Sequence, residues 1–490
     1  MTKKANSREN SGNSAMSRIS QISLRRFFMN KIIITFVILC VVSIAHSQVP
    51  YTLSNEDKVY GLSKFWQEVN YNFVYLEKIN RSTWDSTYRA LITTVQKTEN
   101  DYEYYRALQK FCAMLHDGHT NIYFPQSIDS LIMYTMFGKY RIFLTNIENK
   151  AIVTRTNLSI KDEIPIGSEV IKVNGLATQD YIAQFVAPYF SSSTSYVLQD
   201  LSVSNLLQGL KGDCFEITLK TPNGKLKQFL LTHERTSEQE VYPPFEKEDT
   251  LYELLQFKWY DHQIAYLALN SFGDPKIDTL FEQHLPDLYK AKALIIDLRN
   301  NGGGNEPIGK QILQYLTPDT LLYGYRCFSR MHIPAYKAWG ADVKPEDTTG
   351  NDWAKKCLLD FQDKAYYTFD YSPDTIHVLE KKVVVPTVLL IGHNTASAAE
   401  DFLIYADNQK HMVKIGENSY GSTGQPYIFE LPGGGEAWVC TKKNTYPDGR
   451  EFVGYGVKPD IEVIPTVQDY LRHNDPVLSK ALEFLGRKPK

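Results

Sequence analysis

The chain has 490 residues, of which 43% are hydrophobic and 22% are charged, and its formal net charge at pH 7 is −3. This length predicts two or three domains, and the apolar content excludes a chain that is disordered throughout. The small net charge gives no reason to expect nucleic acid or an anionic membrane surface as a partner.

The first segment has the pattern of a secretory signal. Basic residues precede the apolar run 32–42, and a small-x-small site follows at 45–47. The run is shorter than the ~20 residues that a membrane span needs. We therefore expect residues 1–47 to be an extension plus a cleavable signal, and the protein to be exported to the periplasm, the cell envelope or the outside. Membrane contact is expected only through an uncleaved signal.

The cysteines give no sign of a metal site. The sequence has 6 of them, widely scattered, with no CxxC pair and no Cys/His cluster at zinc spacing. No metal and no organic cofactor is predicted. Disulfide pairing and the oligomeric state stay open.

Residues 48–130 are expected to form a helical N-terminal domain. Apolar residues recur there at three- and four-residue spacing, which predicts helices between 51 and 115. The residues that carry this pattern are Trp66, Val69, Phe73, Leu76, Tyr104, Leu108, Phe111 and Leu115.

Residues 136–236 change to short strands bounded by turn residues. Strands are predicted at 140–144, 151–154 and 169–173, a hairpin at 215–219 and 226–231, and helices at 178–186 and 196–210. The order, centred on 166–175, resembles a PDZ domain with a Ser-rich insertion at 191–195. Such a domain binds a peptide C-terminus by strand addition. The alternative is a small β-domain that acts only as a lid.

Residues 258–470 alternate strands and helices, which predicts an α/β core with functional loops at strand ends. The strands are expected at 264–269, 293–298 and 383–391, and the helices at 308–315 and 397–407. The last of these strands is almost entirely apolar, as expected for a strand buried on both faces.

A glycine-rich turn, 297–305, follows the second of these strands. Its successive glycines, Gly302, Gly303 and Gly304, let backbone N–H groups approach a ligand closely. The turn lacks the GK[ST] ending of a phosphate loop. Taken alone, it is equally consistent with a structural role.

Ser397 stands where a buried strand gives way to a helix, in the run 394–400. A serine in that place is ordinarily an N-cap. The same position also puts its hydroxyl in the positive field of a helix N-terminus, beside free N–H groups, which favours a nucleophile and its oxyanion. A third segment, 115–121, contains His119 in a loop, and a lone histidine there is more often structural than a base.

Together the three segments resemble the carboxyl-terminal processing and tricorn-core serine peptidases. The closing run 454–460 also matches, so that the resemblance covers residues 50–465. It implies a crotonase-like α/β catalytic core, with an N-terminal helical segment and a PDZ-like domain.

The family uses two kinds of base. The processing branch uses a lysine, but its place here is taken by Ser422, and a hydroxyl cannot act as a free amine. The tricorn-like branch uses a histidine ahead of the PDZ domain, and His119 matches that position. The resemblance therefore implies Ser397 as nucleophile, His119 as base, and the N–H groups of Ala398 and Gly303 as the oxyanion hole.

The acid that orients the histidine is not fixed by the resemblance. Tricorn-like relatives have a serine before the histidine and a glutamate near the closing run, but Gly118 and Val453 stand at those places. Three carboxylates are therefore candidates: Glu451, Asp117 and Glu400.

The sequence thus predicts an exported serine endopeptidase that cleaves peptides or unfolded polypeptides. One alternative is a non-catalytic member of the same fold that binds peptides or apolar ligands. Another is an esterase of small molecules, because an acyl-transfer site hydrolyses both substrate classes. Crotonase-type acyl-CoA chemistry is a weaker alternative, because an exported chain lies far from cytosolic CoA.

Overall fold

The structure, a computed structural model, describes residues 53–245, 253–377 and 381–486. The predicted N-terminal extension and signal at 1–47 lie outside these residues. Among the described residues, no helix combines the length and the apolar character needed to cross a membrane. Each of the five cysteines in this part of the chain is a free thiol.

The elements follow one another in three regions. The first contains α1 (Asn55–Asn72), α2 (Arg81–Gln96), α3 (Asp101–Ala113), β1 (Asn121–Tyr123) and α4 (Gln126–Asp129). The second contains β2 (Met136–Phe137), β3 (Tyr140–Ile147), β4 (Lys150–Asn157), β5 (Glu169–Val173), β6 (Leu176–Ala177), α5 (Thr178–Tyr181), α6 (Ser195–Ser204), β7 (Cys214–Lys220), β8 (Leu226–Thr232) and β9 (Val241–Tyr242). The third contains β10 (Leu255–Tyr260), β11 (Ile264–Leu269), α7 (Lys276–Leu288), β12 (Ala293–Asp297), α8 (Glu306–Leu316), β13 (Leu321–Leu322), β14 (Arg326–Arg330), α9 (Pro334–Gly340), α10 (Asp352–Phe361), β15 (Tyr366–Thr368), β16 (Asp374–Thr375), β17 (Thr387–Ile391), α11 (Ala398–Ala406), β18 (Met412–Gly416), β19 (Pro426–Leu431), β20 (Gly435–Cys440), β21 (Lys442–Thr445), β22 (Ile461–Glu462), α12 (Val467–Leu471) and α13 (Pro476–Gly486).

The helices predicted between 51 and 115 are confirmed as α1 to α3. Asn80 and Asn100 cap the N-termini of α2 and α3 by accepting backbone N–H groups. The rings of Trp84 and Phe111 stack in the interior with their centroids 3.8 Å apart. This interior is continuous with that of residues 255–457, so the helices and the third region share one hydrophobic core.

The second region has a hydrophobic core of its own. Its sheet has the strand order β2-β3-β4-β5-β7-β8, with β6 paired to β5 and β9 paired to β4, and the pairs are antiparallel. The strands predicted at 140–144, 151–154, 169–173 and in the hairpin are confirmed. Helix α6 lies beside β3, which has only the two-residue β2 on its other edge.

The third region is built on a six-stranded sheet with the order β10-β11-β12-β17-β18-β22. Every pair in it is parallel except β10 with β11. Along β11, alternate side chains enter two different cores, one on each face of the sheet. Burial on both faces explains why this strand is apolar throughout.

Two boundaries in this region differ from the predictions by more than two residues. The strand predicted at 383–391 begins only at Thr387, because Pro386 has no N–H group for the ladder. The predicted core ended at 470, but α13 follows it, and its Val477 and Ala481 pack under the sheet.

Candidate active site

The glycine-rich turn and the loop at 392–397, which we call the serine loop, leave the same edge of the central sheet. β12 and β17 are parallel neighbours, with Asp297 opposite Leu390. The loops that follow the carboxyl ends of parallel strands therefore emerge side by side. The N–H of Ala396 donates to Asn301 O at 3.0 Å, which joins the two loops directly.

Ser397 occupies the N-cap of α11 with a backbone that serine rarely adopts. Its φ is 56° and its ψ is −122°, and such a conformation costs about 1–3 kcal/mol. Its N–H holds it there by donating to Ser422 O at 3.2 Å and to Glu400 Oε2 at 3.1 Å. The hydroxyl points instead to His119, whose Nε2 lies 3.2 Å from Ser397 Oγ. The strained turn thus presents the side chain outside the helix.

His119 reaches this point from the loop between α3 and β1. Its Nδ1 lies 2.8 Å from Ser422 Oγ, so both ring nitrogens face serine hydroxyls. Burial, assisted by the charge of Lys442, lowers the pKa of His119 to about 4. The imidazole is therefore neutral at pH 7, and a neutral ring can accept a proton.

The Ser-rich insertion of the second region holds the histidine loop. The N–H of Asp117 donates to Ser191 Oγ at 3.1 Å, and that hydroxyl donates back to Asp117 O at 2.8 Å. The N–H of Gly118 donates to Ser193 Oγ at 2.9 Å. Burial raises the pKa of Asp117 to about 6, against the hydrogen bond from Thr120. The carboxylate of Asp117 accepts hydrogen bonds from the hydroxyls of Thr120 and Ser193, so Asp117 fixes the loop rather than the imidazole.

Glu400 is completely buried and accepts four hydrogen bonds. Its Oε1 accepts from Ser419 Oγ and from the N–H of Gly421, and its Oε2 accepts from the N–H groups of Ser397 and Ser422. Burial raises its pKa to about 8, and the four donors oppose that shift. Glu400 therefore supports the backbone around Ser397 and Ser422 rather than the imidazole ring.

Glu451 is held away from the histidine. Its carboxylate pairs with Lys443, and its side chain is 40% exposed. None of the three candidate carboxylates is hydrogen-bonded to the ring of His119, whose two nitrogens face the hydroxyls of Ser397 and Ser422.

The group that meets Nδ1 is Ser422, which sequence reasoning treated only as a missing lysine. The sequence did contain an indication of this role. The serine that tricorn-like relatives have before the histidine is replaced by Gly118, and a serine, Ser422, stands where the processing branch has its lysine. Only the three-dimensional structure shows that these two departures lie against each other.

The two predicted oxyanion donors, Gly303 and Ala398, lie beside Ser397, but their N–H groups are not equally free to bind a ligand. A Cβ built on Gly303 would lie 2.6 Å from Ser397 Cβ, so the glycine turn lies directly over the serine. The N–H of Gly303 already donates to Asn301 Oδ1 at 2.9 Å. Within the described residues, the N–H groups of Gly302 and Ala398 have no hydrogen-bond acceptor.

Two cavities adjoin the loop that precedes Ser397. The first, of about 400 Å³, has a lining that carries aromatic and amide side chains: Tyr123, Asn300, Asn394, Tyr420 and Trp438, beside His119. The second, of about 630 Å³, runs between β3 and α6 and reaches Asn300 and Asn394 as well. The described residues contain no group of three or more His, Cys, Asp or Glu side chains placed to hold a metal ion.

Comparison with known proteins assigns a family to the part of the chain that contains Ser397. Residues 263–463 match the model of peptidase family S41. This segment belongs to peptidase family S41. The carboxyl-terminal-processing protease of Picosynechococcus sp. (strain ATCC 27264 / PCC 7002 / PR-6) is 22% identical over 409 residues, covering 82% of this chain and 82% of that protein. Carboxyl-terminal-processing peptidase 2, chloroplastic, of Arabidopsis thaliana is 24% identical over 422 residues, covering 81% and 69%.

The predicted family and the predicted enzyme class, a serine-type peptidase, are confirmed by these matches. The structure of mature CPAF complexed with lactacystin is similar in fold. Its TM-score is 0.61 at 14% identity, covering 89% of this chain and 100% of that one. The S41 segment therefore lies in a mixed α/β peptidase fold.

Proposed function

We propose that this chain is an exported serine endopeptidase in which Ser397 is the nucleophile and His119 is the general base. The observation that carries the proposal is the 3.2 Å separation of His119 Nε2 and Ser397 Oγ, across 278 residues of sequence. This distance is at the limit of hydrogen-bond reach, as expected for a base and a nucleophile without substrate. The low pKa of His119 supports the proposal, because the base must be neutral to act.

The reaction is acyl transfer from a peptide bond. Ser397 Oγ bonds to the substrate carbonyl carbon while its proton passes to His119 Nε2. The resulting oxyanion accepts hydrogen bonds from the N–H of Ala398 and from the glycine turn, where Gly303 shares its N–H with Asn301. Collapse breaks the C–N bond, and His119 gives the proton to the leaving amine. Water then repeats the sequence on the acyl-enzyme.

The 400 Å³ cavity supports a preference for uncharged substrate side chains. Its walls carry the rings of Tyr123, Tyr420 and Trp438 and the amides of Asn300 and Asn394. None of these groups carries a charge that could pair with a charged substrate residue, and burying an unpaired charge is costly. A large apolar or aromatic side chain next to the scissile bond fits this surface.

The second region would supply a peptide-binding groove of the PDZ type. Strand β3 has an edge that is largely unpaired, and α6 lies beside it, which is the arrangement used for strand addition. The 630 Å³ cavity in this groove is lined by Leu144 and Val197 and continues to Asn394, close to the serine loop. A polypeptide bound there could extend into the active site.

The decisive experiment is labelling of the full chain with a fluorophosphonate probe. We expect stoichiometric labelling of the wild type, and loss of labelling with Ser397→Ala and at least a 100-fold slower rate with His119→Ala, because a general base contributes about 10²–10⁴-fold. Absence of labelling of the folded wild type would overturn the proposal in favour of a non-catalytic, ligand-binding protein.

Substrate choice separates a peptidase from an esterase. We expect hydrolysis of a denatured, dye-labelled protein, and we expect the same Ser397→Ala substitution to abolish it. Hydrolysis of p-nitrophenyl acetate without any cleavage of the denatured protein would contradict the peptidase assignment.

A further inference from the structure

The second nitrogen of the histidine has a partner that comes from a distant part of the chain. Ser422 Oγ lies 2.8 Å from His119 Nδ1, and the two residues are 303 positions apart. Ser422 is completely buried, so its hydroxyl is shielded from bulk solvent. We propose that Ser422 is the positioning residue that orients the His119 imidazole for proton transfer from Ser397.

The chemistry of the ring gives the contact a direction. For Nε2 to accept the proton of Ser397, the hydrogen of the neutral ring must be on Nδ1. In that tautomer, Nδ1–H donates to Ser422 Oγ. When Nε2 takes up the proton, Nδ1–H becomes the donor of a charged group, and its hydrogen bond strengthens. Ser422 thus favours the reactive orientation and supports the imidazolium that forms.

The position of Ser422 is fixed by the same network that holds the nucleophile. Its N–H donates to Glu400 Oε2 at 3.1 Å, and its carbonyl accepts the N–H of Ser397 at 3.2 Å. The N–H of Ser397 also donates to that carboxylate oxygen, at 3.1 Å. The nucleophile and the residue that orients the base are therefore bound to one buried carboxylate.

Gly118 provides the space that Ser422 occupies. A Cβ at position 118 would lie 3.0 Å from both Cβ and Oγ of Ser422 and 2.6 Å from Tyr420 Cε1. The φ of Gly118 is not positive, so its backbone conformation does not require glycine. The absent side chain is what admits the hydroxyl of Ser422 to the ring of His119.

The inference rests on the proposed function and is tested in the full chain by replacing two serines of the same loop. Ser422→Ala removes the hydroxyl that faces His119. Ser419→Ala is the matched control, because Ser419 is equally buried and bonds to the same carboxylate, Glu400, without touching the histidine. Thermal unfolding is measured for both variants, and fluorophosphonate labelling rates, kcat and KM are compared with the wild type.

For Ser422→Ala we expect kcat and the labelling rate to fall by about 10- to 100-fold with KM within about twofold, because only proton transfer is impaired. Ser419→Ala should lose at least as much thermal stability but keep kcat within about fivefold. Ser422→Thr, which retains a hydroxyl, should recover most of the rate.

Each contrary outcome has a separate meaning. Equal losses of kcat in Ser422→Ala and Ser419→Ala would assign Ser422 a structural role and overturn the inference, while the labelling of Ser397 in the wild type would leave the proposed function intact. A wild-type rate in Ser422→Ala would overturn it as well. A wild type that is not labelled at all would remove both the proposed function and this inference.

Discussion

Gly303→Ala tests whether the close approach of the glycine turn to Ser397 is needed for catalysis. A Cβ at 303 would lie 2.6 Å from Ser397 Cβ, 2.8 Å from Ala396 O and 2.9 Å from Ala398 N, and two of these atoms are backbone. The turn must recede by about 0.5–0.8 Å before these contacts reach ordinary van der Waals distance. The φ of +99° adds about 1–3 kcal/mol of strain for any residue with a Cβ.

A turn displaced by that distance no longer supplies its N–H to the oxyanion. Loss of one such donor lowers kcat by about 10²–10³-fold, which we expect for Gly303→Ala in peptide hydrolysis. Gly302→Ala is the matched control, because a Cβ there meets no atom within 4 Å, and it should retain far more of kcat. If folded Gly303→Ala kept kcat within about threefold of the wild type, the argument from close approach would be refuted.

Two further predictions concern pH. The pKa of His119 is lowered to about 4, so its imidazole is neutral down to that pH. When the labelling rate of the folded protein is measured against pH, its decrease on the acid side should therefore have a midpoint near pH 4. A midpoint near pH 6.5 would contradict the burial argument. The second prediction concerns His393, whose ring stacks on Tyr196. Burial lowers the pKa of His393, but the 2.6 Å contact with Asp200 and the negative charge of Glu417 outweigh burial, so that the pKa is raised. The stability that this charge contributes is complete below about pH 6.5 and is lost as the pH rises through the higher folded value. The difference in melting temperature between the wild type and His393→Gln, roughly 1 °C for each kcal/mol in a chain of this length, should therefore shrink between pH 6 and pH 9, and a constant difference would contradict this charge argument.

The periodicity of apolar residues was sufficient to predict many of the helices and strands. The strand 264–269 was predicted at its observed bounds, because a run buried on both faces is apolar at every position. The strand predicted at 383–391 was too long, because apolar residues continue through Pro386, whose nitrogen cannot donate to the ladder. The segment that contains α9 and α10 was not predicted, because no motif marks it.

The candidate site also has a part that the sequence predicted and a part that it did not. Ser397 and the glycine turn follow strands that are neighbours in the sheet, and each is marked by a local motif. Ser422, the partner of His119 Nδ1, is not part of a local motif that predicts this contact. The three carboxylates considered for it were plausible by type and spacing, yet burial and hydrogen bonding assign them to the histidine loop, to the backbone around Ser397, and to Lys443.

The sequence by itself determined the family and identified Ser397 and His119 as the candidate nucleophile and base, because each depends on the identity of residues in a short run. Only the tertiary structure decided which group holds the ring of His119. A hydrogen bond between residues 303 positions apart depends on a glycine that leaves space and on a buried carboxylate that fixes a loop. Those are properties of packing, and no local pattern encodes them.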